Sequence, residues 1–423
     1  MNISIYTPTH NTVHLRDLYD SIKDQNFFEW VIVPNNMDEL ELNDVYNLLN
    51  YDNRIKIYPY EGPNSTWVGA LKKYAISKCL GDVYLEVDHD DLLTEFAIER
   101  VDQIFTHRPE IGFVYSNTVE FREADGGMIP NNEYPSAAGF QYRDFEYKGF
   151  HLKEMLSFPP NHISISQIWY APNHLRAWRK ETYLATGGYN ENMRVLDDLD
   201  LMCKTYLVTK MYLLNEPLYL YRITGKNTWL NPELNNEIQI NVPRIFDMYI
   251  REIAGKWSDE NGLLKLDLGG RFNAYPNYIS VDLKDAEVIT DLNRPWPFED
   301  NSVGVIIAND ILEHLADKIH TIKEIYRVLA HGGLLLVQVP STDGRGAFQD
   351  PTHVAYYNEN SFWYYIDSNL AKYINTPVTF QKIFLSTDFP TDWHRQNNIS
   401  YVKAQLLALK DEKGIRYPGL INI

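Results

Sequence analysis

From the first residues of the chain, short runs of β-branched and aromatic residues alternate with stretches of helical period: Ile3 to Thr7, Val13 to Asp24, then Trp30 to Pro34. A strand, a helix and a second strand in this sequence form a βαβ unit, and its repetition predicts an α/β fold with a mainly parallel sheet. The rhythm continues through Lys56 to Pro59, a helix from about Trp67 to Leu80 and a strand from Val83 to Val87. In open sheets of this class ligands bind outside the carboxyl ends of the strands. The residues that follow Val87 are therefore the first place to look for chemistry.

That edge reads Gly81-Asp82-Val83-Tyr84-Leu85-Glu86-Val87-Asp88-His89-Asp90-Asp91, an apolar strand ending in three carboxylates. Like charges this close repel, and they persist most readily where a cation or hydrogen bonds offset the repulsion. A hard divalent ion prefers oxygen ligands and, as Mg²⁺ or Mn²⁺, bridges a diphosphate. A solvated turn or a helix cap uses the same residues, and these residues alone leave both readings open. A second acidic group, Asp197-Asp198 with Asp200, follows the Gly187-Gly188 turn and opens a helical pattern, where acidic side chains also favour the positive end of a helix. His10, His162 and His174 read as structural or solvent-facing rather than as metal ligands.

A chain of 423 residues is too long for one ordinary core and suits two domains. From about Glu120 to Trp178 the rhythm gives way to Tyr, Phe, Trp, Pro and Asn, which reads as insertion loops and an acceptor-facing wall. A helical segment from about Asn235 to Ala254 leads into Gly255-Lys256-Trp257-Ser258-Asp259-Glu260-Asn261-Gly262, polar with glycine at both ends. The division is placed there, giving expected domains 1–255 and 262–423. The second opens on a new strand entering Asp267-Leu268-Gly269-Gly270, followed by a strand ending in Asp282, and further strands at Val303 to Ala308 and Leu334 to Val339. Glycine lets backbone approach a nucleoside, and an acidic residue at the next strand end accepts both ribose hydroxyls.

The net charge of −18 opposes attraction to phosphate backbones, which makes nucleic acid a poor partner. Two cysteines, Cys79 and Cys203, supply neither a disulfide framework nor a zinc cluster. With no leader-like segment ahead of the first strand and no apolar run of about 20 residues, a cytoplasmic chain without a transmembrane segment is the expectation.

Several motifs occur in order between Ile3 and about Trp229: Thr7-Pro8-Thr9-His10-Asn11, Asp17 to Gln25, Gly81-Asp82, Asp88-His89-Asp90-Asp91, Thr186-Gly187-Gly188-Tyr189, Asp197-Asp198-Leu199-Asp200-Leu201 and Leu220-Tyr221-Arg222. Together they resemble the family 2 glycosyltransferases, which have the GT-A nucleotide-sugar-binding fold. The resemblance implies that Asp88 and Asp90 contact the metal, that Asp88 also meets the donor, and that Pro8, Thr9 and Asn11 lie against the nucleotide. It places Asp198, with Asp197 beside it, as the catalytic base, since inverting transfer needs a base within hydrogen-bond reach of the acceptor hydroxyl. Three departures stand out. Pro34-Asn35-Asn36 replaces the usual Asp pair, so Asn35 takes the nucleoside-facing position. Lys72-Lys73 stands where the family has Arg, Lys72 either meeting the diphosphate or being solvated. The His often found after Tyr-Arg is absent.

In the second half, Asp267-Leu268-Gly269-Gly270, Asp282, Asp291-Leu292, Pro297 to Val303, Leu312-Glu313-His314-Leu315 and Ile325 to Gly333 resemble a class I S-adenosylmethionine-dependent methyltransferase over about Leu263 to Phe362. The resemblance implies a Rossmann-like domain with Asp267, Gly269, Asp282, Asp291 and Asn309 around S-adenosylmethionine. His314 and His353 are the candidate methyl-transfer bases, His353 doubling as a structural turn residue. Here too there are departures: Gly269-Gly270-Arg271 replaces Gly-x-Gly, the interval to Asp282 is short for a first helix, and Gly304 replaces a common Asp. Loss of methyl transfer is compatible with them.

The expected function is metal-dependent, inverting sugar transfer from a nucleotide-sugar donor to a glycan or small-molecule acceptor hydroxyl, with a second domain that methylates the glycan or has lost that activity. Two other readings are a non-catalytic carbohydrate-binding or scaffolding protein on decayed enzyme folds, and a glycosyltransferase acting on modified nucleotides. The donor sugar, its base and the third metal ligand are not fixed by sequence.

Overall fold

The computed structural model describes residues 1–48, 51–124, 126–131, 139–169 and 171–410. Residues 411–423, the end of the second expected domain, lie outside them. The described chain separates into two compact units, residues 1–253 and 254–410.

The first unit begins with β1 (Ile3–Thr9), α1 (Leu15–Ile22), β2 (Glu29–Pro34), α2 (Glu39–Asn47), β3 (Ile55–Ile57), α3 (Val68–Lys78) and β4 (Val83–Glu86). β1 lies between β2 and β4, parallel to both, and β3 continues the parallel block beyond β2. Side chains on a strand alternate between faces, and β1 shows why the sheet is covered on both. Ile3 and Ile5 join a core with Leu15, Leu18 and Ile22 of α1, whereas Tyr6 joins the opposite core with Ala75 and Ile76 of α3. Trp30, fully buried on β2, satisfies its indole N–H by donating to Thr7 Oγ1 at 2.9 Å.

After β5 (Leu92–Leu93) and α4 (Ala97–His107) come β6 (Ile111–Ala124), β7 (Gly127–Pro130), β8 (Tyr142–Tyr147), β9 (Phe150–Met155), α5 (His162–Gln167), β10 (Arg176–Arg179), α6 (Lys180–Ala185), α7 (Asp197–Val208) and β11 (Lys210–Arg222). β10 is antiparallel to both β4 and β6 and joins the parallel block to the parallel β6–β11 pair. The sheet order is β3-β2-β1-β4-β10-β6-β11-β5, the α/β arrangement the GT-A resemblance calls for. The stretch read as insertion loops is more regular than expected: β6 runs past Glu120, and β7, β8 and β9 pair with it or with each other. The β8–β9 hairpin does alternate, with Phe145, Tyr147, Phe150 and Leu152 packed on one face.

α8 (Pro232–Glu260) runs through Gly255, so much of the polar stretch expected to be a linker is helical. A helical glycine costs about 1 kcal/mol relative to alanine, but Ile250, Ile253, Ala254 and Ser258 are buried around it, and packing overrides the local breaker.

The second unit contains β12 (Leu264–Leu268), β13 (Ile279–Asp282), β14 (Val288–Ile289), β15 (Val303–Asn309), α9 (Lys318–Val328), β16 (Leu329–Pro340), α10 (Gly346–Gln349), α11 (Glu359–Trp363), α12 (Ser368–Ala371), β17 (Phe380–Asp388), α13 (Asp392–Gln396) and β18 (Tyr401–Ala408). Its order is β14-β13-β12-β15-β16-β18-β17, parallel throughout β14 to β16, with β18 antiparallel to both neighbours. This is the Rossmann-like sheet expected. A single 3₁₀ turn, Arg271–Asn273, stands between β12 and β13 in place of a crossover helix. Gly304 has a packing reason: a Cβ there would lie 2.2 Å from Ser258 Oγ on α8. Among the described residues, no helix is long and apolar enough to cross a membrane.

Candidate active site

The carboxyl ends of β2, β1 and β4 lie side by side, and the residues there bring together Pro8 to Asn11, Asn35 and Asp88 to Asp91. Thr9 Oγ1 donates to the Asn11 carbonyl at 2.6 Å, and the Asn11 side-chain nitrogen lies 3.1 Å from His89 Nε2, linking the first loop to the acidic one. Asn35 is buried and donates its amide to the Ser65 carbonyl at 2.9 Å, as Asn36 does at 3.0 Å. The amides standing in for the family's carboxylates thus tie down a neighbouring loop. Asp91 accepts from the Tyr219 hydroxyl and the Arg222 backbone N–H, both at 2.7 Å, and is a buried structural acceptor.

Beside this edge a cavity of about 200 Å³ is lined by Lys72, Asp88, His174, Arg176, Asp197 and Asp198, with Trp169, Tyr221 and Trp229 among its aromatic walls. Lys72 projects from α3 and is buried, which excludes the solvated alternative; its ammonium pairs with Glu86 and lies 3.3 Å from Asp88 Oδ1. The more accessible member of the Lys72-Lys73 pair is Lys73, half-buried and 3.3 Å from Glu191. Burial alone would lower the Lys72 pKa, but Asp88, Glu86 and Asp197 together raise it above its ordinary value. Glu86 also accepts from the Tyr189 hydroxyl at 2.8 Å.

α7 delivers the second acidic pair. Leu196, immediately before it, adopts φ 64° and ψ 17°, a left-handed conformation that costs a non-glycine residue roughly 1–3 kcal/mol. The first turn of α7 meets the start of α3 so closely that a Cβ on Gly69 would lie 2.7 Å from Asp197 Cβ. Asp198 accepts from Arg176 Nη1 at 3.0 Å and from the Leu199 N–H at 2.8 Å. Asp197 is buried, and its Oδ2 has no hydrogen-bond partner. Burial first, then the Asp198 charge, push its carboxyl up to about 7 against the opposing Lys72.

His174, read from the sequence as structural or solvent-facing, lies within the same wall. Its Nδ1 is buried without a partner, and burial followed by the Arg176 charge lowers its pKa to about 4, leaving the ring neutral with a lone pair to offer. One atom from each of Glu86, Asp88 and His174 falls within 4.8 Å of the others. Glu86, Asp88, Asp197 and Asp198 outnumber Lys72 and Arg176 here, and an orphaned imidazole nitrogen beside carboxylate oxygens fits Mn²⁺. Asp90 does not line the cavity; it is half-buried beside it, and burial and then the Asp88 charge push it up to about 6.

In the second unit Asp267, Gly269, Asp282 and Asn309 sit at the carboxyl ends of β12, β13 and β15, and Asp291 follows β14. Asp267 accepts the Tyr275 N–H at 2.7 Å, and Asp291 accepts the backbone and side-chain N–H groups of Asn293 at 3.0 Å. Asn309 is exposed. Both oxygens of Asp282 are engaged, Oδ1 by the Leu283 N–H at 2.6 Å and Oδ2 by Arg271 Nε at 3.1 Å. The carboxylate that would accept ribose hydroxyls is thus met from within the chain on both oxygens, one of them by the half-exposed Arg271. His314 and His353 do come together, their ring centroids 5.0 Å apart.

Residues 275–337 match the family model of a methyltransferase domain. Among solved structures the chain is similar to S. aureus TarS 1-349 (16% identity, TM-score 0.43, covering 62% of this chain and 74% of that one). It is likewise similar to the same protein in complex with UDP-GlcNAc (16% identity, TM-score 0.42, covering 61% and 73%). No curated protein matches it.

The sequence did not single out Glu86 and Arg176 for the site, and it read His174 as structural or solvent-facing. Glu86 had a signal, an acidic residue inside an apolar strand. His174 and Arg176 had none, because only the antiparallel insertion of β10 beside β4 brings them to the acidic edge.

Proposed function

We propose that the first unit is a metal-dependent glycosyltransferase that moves a sugar from a nucleotide-sugar donor to an acceptor hydroxyl with inversion. The observation that carries this reading is the cavity in which Asp88 and Lys72 face Asp198 and Arg176 at the carboxyl edge of the parallel strands. Asp88, His174 and the adjacent Asp90 would hold the ion, which when bound neutralises the diphosphate leaving group. Lys72 adds a fixed positive charge behind Asp88, and the Pro8 to Asn11 loop with Asn35 borders the space for the nucleoside. Asp198, oriented by Arg176, is the general base that takes the acceptor proton as the hydroxyl oxygen attacks from the face opposite the leaving group. The aromatic walls Trp169 and Trp229 offer apolar faces for a sugar ring. No methyl-transfer step is assigned to the second unit.

The test is a panel of nucleotide sugars screened by thermal unfolding of the full chain, with Mn²⁺ and with chelator, because a ligand of the native state raises its melting temperature. At least one donor should stabilise the protein only with metal, and Asp90→Asn should weaken that effect. Stabilisation that ignores both the metal and the substitution would remove the metal-dependent reading.

A further inference from the structure

A cluster in the second unit stands apart from the sugar-transfer reading. Glu313 lies in the 3₁₀ turn Leu312–His314 that follows β15; it is 2% exposed, and its Oε2 accepts no hydrogen bond. A buried carboxylate oxygen without a donor is disfavoured unless something else satisfies it. Its Oε1 faces His353 Nε2 at 3.9 Å, too far for a hydrogen bond. His353 Nδ1 sits 2.9 Å from the Ala347 carbonyl oxygen, so the proton of the neutral ring belongs on Nδ1 and the lone pair on Nε2. His314 is held in the same manner, with Nδ1 3.2 Å from the Thr352 carbonyl oxygen. One ligand atom from each of Glu313, His314 and His353 lies within 4.8 Å of the others. The Asp310 and Asp350 charges act on Glu313 as well, adding to the negative potential.

We propose that Glu313, His314 and His353 form a binding site for a divalent transition-metal ion. Two imidazole lone pairs lie beside a buried carboxylate whose Oε1 faces His353 and whose Oε2 lacks a donor, and a cation at this cluster offsets the whole set. Two imidazole nitrogens with one carboxylate select Zn²⁺, Mn²⁺, Fe²⁺ or Co²⁺ over Ca²⁺ and Mg²⁺. Ligand atoms around such an ion stand about 3–3.5 Å apart, given bonds of about 2.1 Å, so the separation between Glu313 and His353 closes by a small side-chain rotation. The carbonyls of Ala347 and Thr352 fix the tautomer and tilt of each ring, as the partners of metal-bound histidines do. Three protein ligands leave positions for water or for an oxygen of a bound molecule, and the site borders the carboxyl end of β15, the edge where this class of sheet takes its ligands.

The test is titration of the metal-stripped full chain with Co²⁺, following visible absorption bands and counting bound metal after dialysis. His314→Ala and Glu313→Gln should each lose about one equivalent of the Co²⁺ that the wild type retains, the affinity of that equivalent falling at least about tenfold. Because His314 is only half-buried, His314→Ala should keep the wild-type thermal melt of the metal-free chain. Equal Co²⁺ affinity in the wild type and His314→Ala overturns the site. So does the absence of bound Co²⁺ in the wild type.

Discussion

Arg176 Nη1 donates to Asp198 Oδ2 at 3.0 Å from a side chain that is 2% exposed, so the acid on the first turn of α7 is held by a cation enclosed in the fold. The same Nη1 lies 4.0 Å from Glu86 Oε1. Arg176 thereby couples β4, which carries Glu86, to α7, which carries Asp198.

Asp198→Asn preserves the shape of this contact but removes the proton acceptor. Turnover should fall by roughly a hundredfold or more, the scale of losing a general base, while donor affinity measured by calorimetry stays at the wild-type value. Wild-type turnover in this variant would remove Asp198 from the mechanism.

Lys72→Met leaves Glu86 buried without its closest cation. Breaking a buried pair from one side costs about 3–5 kcal/mol, and urea unfolding should show a loss of that order. Lys72→Met combined with Glu86→Gln should regain most of it, since no uncompensated charge is left. A double variant no more stable than Lys72→Met would mean that Arg176 already suffices for Glu86.

Burial and then the Asp198 charge push the Asp197 carboxyl up to about 7, from an ordinary value near 3.8. The native state therefore holds this proton more tightly than the unfolded chain. Its contribution to stability is complete below about pH 4 and is lost as pH rises through 7. The separation corresponds to at most about 4 kcal/mol, shared with Asp198. Asp197→Asn should melt increasingly above the wild type from pH 4 to pH 8; a constant difference across that range would contradict the assignment.

Asp90, pushed up to about 6, must lose its proton to ligate a cation. Mn²⁺-dependent donor affinity should consequently fall as pH drops through 6, and the fall should vanish in Asp90→Asn. Calorimetry at pH 5 and pH 7.5 separates the two behaviours.

Arg271 adopts φ 36° and occupies Asp282. The full chain should bind S-adenosylmethionine weakly or not at all, and Arg271→Gly, which frees the carboxylate and relieves the left-handed backbone, should bind it at least about tenfold more tightly. Micromolar binding by the wild type would show that Arg271 moves aside.

The alternation of apolar strands with helical periods was enough to place the parallel blocks and their carboxyl edges, because hydrophobic periodicity is a local record of which faces are buried. It also sufficed to mark Asp88, Asp90 and Asp282 as residues at such edges, and Asp197 and Asp198 as the opening of a helix. What those residues touch was decided elsewhere. His174 and Arg176 reach the site only because β10 inserts antiparallel beside β4, a pairing between segments about 90 residues apart that leaves no periodic trace. Lys72 could be solvated or enclosed until α3 met α7 over Gly69. Asp282 keeps its predicted place at the end of β13 but accepts Arg271, since a ligand-binding strand end and an ion pair require the same carboxylate and differ only in which partner comes within reach.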